Sequence, residues 1–142
     1  MENAPNFNLT TIAGEEVELS QFKGKGVLVN FWASWCDPCK NEMSAIQDVY
    51  DEYKDKGFEV LAINMDKKEE AIDKYLYKNP SLNFLILMNG GPVSDEYKTR
   101  DLPTSFFINP DGSIQKSHVG ALNEEQLHFF IKEILPSKTA KK

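Results

Sequence analysis

At 142 residues the chain has the length of one domain and can bury a substantial core. Its formal net charge of −6, from 22 acidic and 16 basic residues, argues against nucleic acid as a partner, because that binding rests on clustered lysine and arginine. No run approaches the length of a membrane-spanning helix, and the opening MENAPNF lacks the basic and apolar regions of a signal peptide, which taken literally describes a cytosolic protein that does not insert into a membrane.

In chain order, Asn6 to Leu9 and Glu16 to Leu19 read as short strands separated by a turn at Ala13 and Gly14. Lys23 to Gly26 form a flexible connector. Val27, Leu28, Val29, Phe31 and Trp32 then make an almost continuous apolar run, interrupted by Asn30, as in a strand buried on both faces of a parallel sheet. Ser34 to Asp37 stop the run, and Pro38 suits the first turn of a helix. Met43, Ile46, Tyr50 and Tyr53 recur at three- and four-residue steps and predict that helix's inward face. After the break at Gly57, Phe58 to Met65 resembles a second core strand. Lys67 to Lys78 reads as an amphipathic helix, with Ile72, Tyr75 and Leu76 inward and its charge run a solvated surface. Phe84 to Met88 is a third strand candidate, Gly90 to Pro92 a loop, and Val93 to Tyr97 a short helix. Thr104 to Asn109 and Ser113 to Val119 form a hairpin across Pro110-Asp111-Gly112. Asn123 caps a last helix, with Gln126 completing a capping box and Leu127, Phe130, Ile131 and Ile134 buried. Residues 4–135 are expected to form the ordered core of a single domain, with 136–142 as a frayed tail.

Cys36 and Cys39 lie at the junction between the first buried strand and its helix. A bridge between them closes almost no loop, so it would stabilise the fold little. Zinc needs about four ligands, no second pair exists, and His118 and His128 follow no ligand spacing. Haem attachment requires histidine after Cys39, and Lys40 stands there. Dithiol/disulfide exchange remains, and C-x-x-C beside a βαβ pattern is its strongest context. At a helix N-terminus the backbone N–H groups and the macrodipole favour the Cys36 thiolate, the reactive form.

The stretch NFWASWCDPCK resembles the active-site signature of the thioredoxin superfamily. The opening APNFNLTTIAGEEVELSQFKGKGVLVNFWASWC, Glu42 three residues after Cys39, and LPTSFFINPDG make the chain similar to its TlpA/ResA-like branch of thiol-disulfide oxidoreductases, over about Ala4 to Leu135. The resemblance implies an α/β, thioredoxin-like fold: a central mixed sheet flanked by helices, with an N-terminal hairpin and an extra strand-helix unit inserted before Pro103. The hairpin would cover a sheet edge, and the insert would widen the sheet or shape partner choice. Pro103 would carry a cis peptide bond and lie against the cysteines, where the backbone beside it pairs with an extended client segment. Trp35, Pro38, Leu102, Pro103 and Thr104 are the substrate-binding candidates on that basis. Members of this branch are carried outside the cytoplasmic membrane by a leader, so the expected location is extracytoplasmic, with the leader upstream of Met1; a general cytosolic thioredoxin-like reductase is the alternative.

The expected mechanism follows from thiolate chemistry. Cys36 attacks a client disulfide and Cys39 resolves the mixed disulfide, with no cofactor beyond the Cys36–Cys39 pair. The partners would be disulfide-bearing proteins, apocytochrome c among them, and an upstream dithiol donor, with the chain acting as a monomer. A non-catalytic module holding copper or zinc on the pair is the reading from a different class. Asp37 puts a negative charge beside the nascent thiolate and should raise the thiol pKa, favouring a reductant. Glu42, one turn past Cys39, is positioned to move protons to or from the thiols, unless it is an ordinary solvated residue of the first helical turns. Plain thioredoxins keep a buried acid on the central strand where this chain has Asn30. Many relatives carry a kinking proline where this chain has Ser44, so a straighter helix is expected.

Overall fold

The computed structural model describes residues 1–136. A five-stranded mixed sheet is built around β3 (Gly26–Trp32), whose seven residues are all buried. β3 pairs in parallel with β4 (Phe58–Asn64) and antiparallel with β6 (Thr104–Ile108), so that Val29 faces Leu61 on one side and Phe106 on the other. β5 (Leu85–Leu87) extends the parallel edge, and β7 (Ile114–Val119) closes the antiparallel one, giving the order β5-β4-β3-β6-β7. The alternation of a pleated strand divides β3 between two apolar clusters. Leu28 and Trp32 face the helices α1 (Asp37–Tyr53) and α4 (Glu124–Lys132), meeting a layer that includes Met43, Ile46, Leu127 and Ile131. Val27, Val29 and Phe31 face the opposite way, toward Phe7, Val17 and Leu19 of the N-terminal segment and Val93 and Tyr97. Asn30 therefore projects on the α1 and α4 side, a polar group within an apolar layer.

The strands β1 (Asn8–Thr10) and β2 (Glu16–Glu18) form the expected hairpin as a separate two-stranded sheet. The Met88 N–H donates to Thr10 O at 2.9 Å, so the hairpin covers the β5 edge. Leu19, assigned to a strand from sequence, instead opens a 3-10 turn over Leu19–Phe22. Between β4 and β6 the chain forms α2 (Glu69–Lys78), then β5, then α3 (Gly91–Glu96). The inserted unit thus reads helix-then-strand, and it widens the sheet. Gly91 and Pro92, expected in a loop, form the first turn of α3, where proline's fixed φ suits the helix. Helix α1 runs unbroken for 17 residues, as expected without a proline at Ser44. Val49 takes the interior place in α1, and Tyr50 is only half-buried. Asn123 and Gln126 form the capping box of α4. Of the expected tail, 136–142, Pro136 is described and half-buried, and residues 137–142 lie outside the described residues.

Candidate active site

Two strand ends and one helix N-terminus meet at the redox pair. β3 leads through Ala33, Ser34 and Trp35 into Cys36, which caps α1 in extended conformation, with its Sγ accepting from the Cys39 N–H at 3.3 Å. Pro38 sits in the first helical turn, where no intrahelical donor is needed. Cys36 and Cys39 form a disulfide with Cα atoms 5.3 Å apart. Cys39 is fully buried, whereas Cys36 keeps 7% of its surface open and is the more accessible of the pair. Trp35, 68% exposed, and Pro38 stand beside it at the surface.

The turn entering the pair is held by a residue that sequence reasoning missed. The Ser34 N–H and Oγ–H both donate to the Asp66 carboxylate at 2.9 Å, and Asn64 Nδ2 donates to it at 2.8 Å. Asp66 lies two residues past the end of β4, and the only hint of it was the polar pair ending an apolar strand. On the other side of β3, Thr104 pairs with Phe31, so Pro103 stands at the sheet end from which the chain runs to Cys36. The Leu102–Pro103 bond is cis. Pro103 O accepts from the Gly120 N–H at 2.8 Å; Pro103 and Thr104 are buried, and Leu102 is half-buried. Asp37 is exposed at the helix start, and Lys40 Nζ lies 3.3 Å from its carboxylate. That neighbour offsets the charge which the sequence reading credited to Asp37 alone.

Glu42 is not a solvated residue. It is 2% exposed and lies on the buried face of α1 three residues after Cys39. Its Oε1 accepts from Asn30 Nδ2 at 3.1 Å, and its Oε2 accepts from the Leu122 N–H at 2.7 Å. Burial pushes the carboxyl up from 4.5 to about 7, against the pull of the Leu122 and Asn30 donors. Asn30 Nδ2 also donates to Ser105 Oγ at 3.1 Å, while Asn30 Oδ1 has no hydrogen-bond partner among the described residues. Ser105 and Leu122 were absent from the sequence-based site. The strand alternation that buries Asn30 also places Ser105 opposite it, a signal legible only once the register is known. The contact with Leu122 is a backbone one and leaves no mark in the sequence. Among the described residues, no group of three or more His, Cys, Asp or Glu side chains is arranged to hold a metal ion.

The profile of the AhpC/TSA family matches residues 1–117. A thiol-disulfide oxidoreductase ResA of Oceanobacillus iheyensis is 41% identical over 140 residues, covering 95% of this chain and 72% of that protein. The chain belongs to the AhpC/TSA family. Among solved structures, a putative thiol:disulfide interchange protein DsbE from Chlorobium tepidum superposes with a TM-score of 0.88 at 34% identity, covering 94% of this chain and 95% of that one. An exposed lipoprotein thioredoxin of Streptococcus pneumoniae superposes with a TM-score of 0.76 at 29% identity, covering 91% and 99%. Family membership, fold and the C-x-x-C disulfide together identify a ResA-like enzyme of thiol-disulfide exchange, as the sequence resemblance implied. Among the described residues no helix is long and apolar enough to cross a membrane.

Proposed function

We propose that the enzyme reduces disulfides of client proteins outside the cytoplasmic membrane, apocytochrome c among them, and is returned to its dithiol form by an upstream donor. The observation that carries this reading is the disulfide-forming pair at the start of α1, with Cys36 its more accessible member and the Glu42 carboxyl buried three residues after Cys39 on the same helix. In the reduced enzyme the Cys36 thiolate attacks one client sulfur. The client S–S bond breaks, and its leaving sulfur takes up a proton. Cys39 then gives its proton to the Glu42 carboxylate and attacks Cys36 Sγ. The second client sulfur leaves and takes up the proton that Glu42 holds, while the first took its proton from solvent, so two electrons and two protons reach the client, the Cys36–Cys39 bond re-forms and Glu42 is ionised again. When Glu42 is protonated, a half-turn of the Asn30 amide presents its unpaired Oδ1 to the new O–H, and Ser105 Oγ can donate as readily as accept. Exposed Trp35 and Pro38 and half-buried Leu102 form the rim on which the client lies, with buried Pro103 and Thr104 supporting it from beneath. Asp37, its charge offset by Lys40, is left a small part in tuning the pair. The exposed lipoprotein among the structural neighbours supports the extracytoplasmic assignment.

The test is covalent trapping. Reduced Cys39→Ala protein incubated with oxidised apocytochrome c should hold it through Cys36, in a complex released by dithiothreitol. Cys36→Ser protein should trap nothing and reduce nothing, and client reduction by that variant would end the reading.

A further inference from the structure

The charges of α2 are sorted. Its three carboxylates, Glu69, Glu70 and Asp73, come early, and Lys74 and Lys78 lie four residues apart on one helix face, with Ala71 and Tyr75 beside them. Those four residues, with Ser34, Asn79 and Lys40 of α1, line an open groove between the two helices. No carboxylate is among its lining residues. Lys40 pairs with Asp37 at 3.3 Å, but Lys74 and Lys78 stand in no ion pair among the described residues. In a chain of net charge −6, this is a local reversal of sign.

The groove is also placed to be used. Ser34 precedes Cys36 by two residues, and Lys40 directly follows Cys39, so the groove is lined by residues that flank the redox pair in sequence. The Tyr75 ring packs on Trp32 at a centroid distance of 5.1 Å, which fixes that face of α2 against the sheet end carrying the pair. Charges touching a docked segment act at short range, whereas the remote carboxylates behind the net charge are screened beyond about 10 Å at 0.1 M salt. We propose that this groove, supplied largely by the inserted helix α2, docks an acidic segment flanking the target disulfide of a client protein. The proposal rests on the dithiol reading of Cys36 and Cys39, and it assigns partner selection to the insert.

The experiment uses two peptides with the same disulfide, one flanked by glutamates and one by lysines, and follows oxidation of the reduced full chain. At about 20 mM salt the acidic peptide should react about tenfold faster, and the ratio should fall toward one near 500 mM. Lys74→Glu combined with Lys78→Glu should invert the ratio, a readout independent of overall activity. Equal rates for both peptides, or a preference that survives the double variant, overturns the proposal. So does competition by phosphatidylserine vesicles that is lost in the variant while the peptide ratio stays at one, since the groove would then face a membrane. A wild-type enzyme inert toward both peptides and toward 2-hydroxyethyl disulfide would instead strike the dithiol reading, and the groove proposal with it.

Discussion

Replacing Glu42 by glutamine should flatten the pH dependence of stability over the neutral range. The carboxyl is lifted from 4.5 to about 7 in the folded protein, so between those values the native state binds more protons than the unfolded chain. Stability contributed by the protonated group is therefore present in acid and lost as the pH rises through about 7. The full effect is about 3 kcal/mol, of which roughly 2 kcal/mol falls between pH 5.5 and 8. Glutamine adds a pH-independent cost, because its amide group must face a donor, either Asn30 Nδ2 or the Leu122 N–H. That cost cancels when each protein is compared with itself across pH. In urea unfolding of the oxidised protein, the midpoint gap between wild type and Glu42→Gln should shift in the variant's favour by about 1 M from pH 5.5 to 8, for a slope near 2 kcal/mol/M. Parallel pH profiles would refute the reasoning and return Glu42 to the ordinary carboxylate range.

Asn30→Leu removes one of the two donors that stabilise ionised Glu42, so the carboxyl should titrate higher still and the midpoint of the pH–rate profile for disulfide exchange should move upward; an unmoved midpoint would show that Asn30 only fills space. Gly26→Ala drives a Cβ into the Ile134 carbonyl where β3 passes the end of α4, and overpacking of that kind should cost about 2 kcal/mol in urea unfolding.

Much of the fold was legible because its signals are local. The apolar run of β3, the Pro110-Asp111-Gly112 turn and the Asn123 cap each act within a few residues, and each element formed where its signal stood. The two cysteines were legible for the same reason, since strand, turn and helix start lie consecutively in sequence. The surroundings of Glu42 were not. Its position one turn past Cys39 was visible, but whether it faced water or the core depended on how α1 and α4 pack. Its partners come from β3 and from the loop before α4, 12 and 80 residues away. The departure at Asn30 was visible as well, although nothing in the sequence said that the missing strand acid and the helical glutamate would meet. Asp66 and Ser34, 32 residues apart, show the same limit.

The position of the Glu42 titration near neutrality follows from a small imbalance between opposed effects. Taking a carboxylate out of water costs several kcal/mol, and a hydrogen bond to a charged acceptor returns about 1.5–3 kcal/mol. Two donors leave a remainder of about 3 kcal/mol, which corresponds to the displacement from 4.5 to about 7. A third donor would bring the group back into the ordinary carboxylate range, permanently ionised at pH 7, and a single donor would leave it protonated. Only near balance can a carboxyl both take and give a proton close to pH 7, as exchange between two thiols demands. The donors belong to separate segments, β3 and the loop before α4, so the balance is a property of the packed molecule and of no one element. Asn30 is suited to such a site because its amide carries a donor and an acceptor on one carbon. An aspartate there would set two carboxyls in one buried space and force one of them to stay neutral.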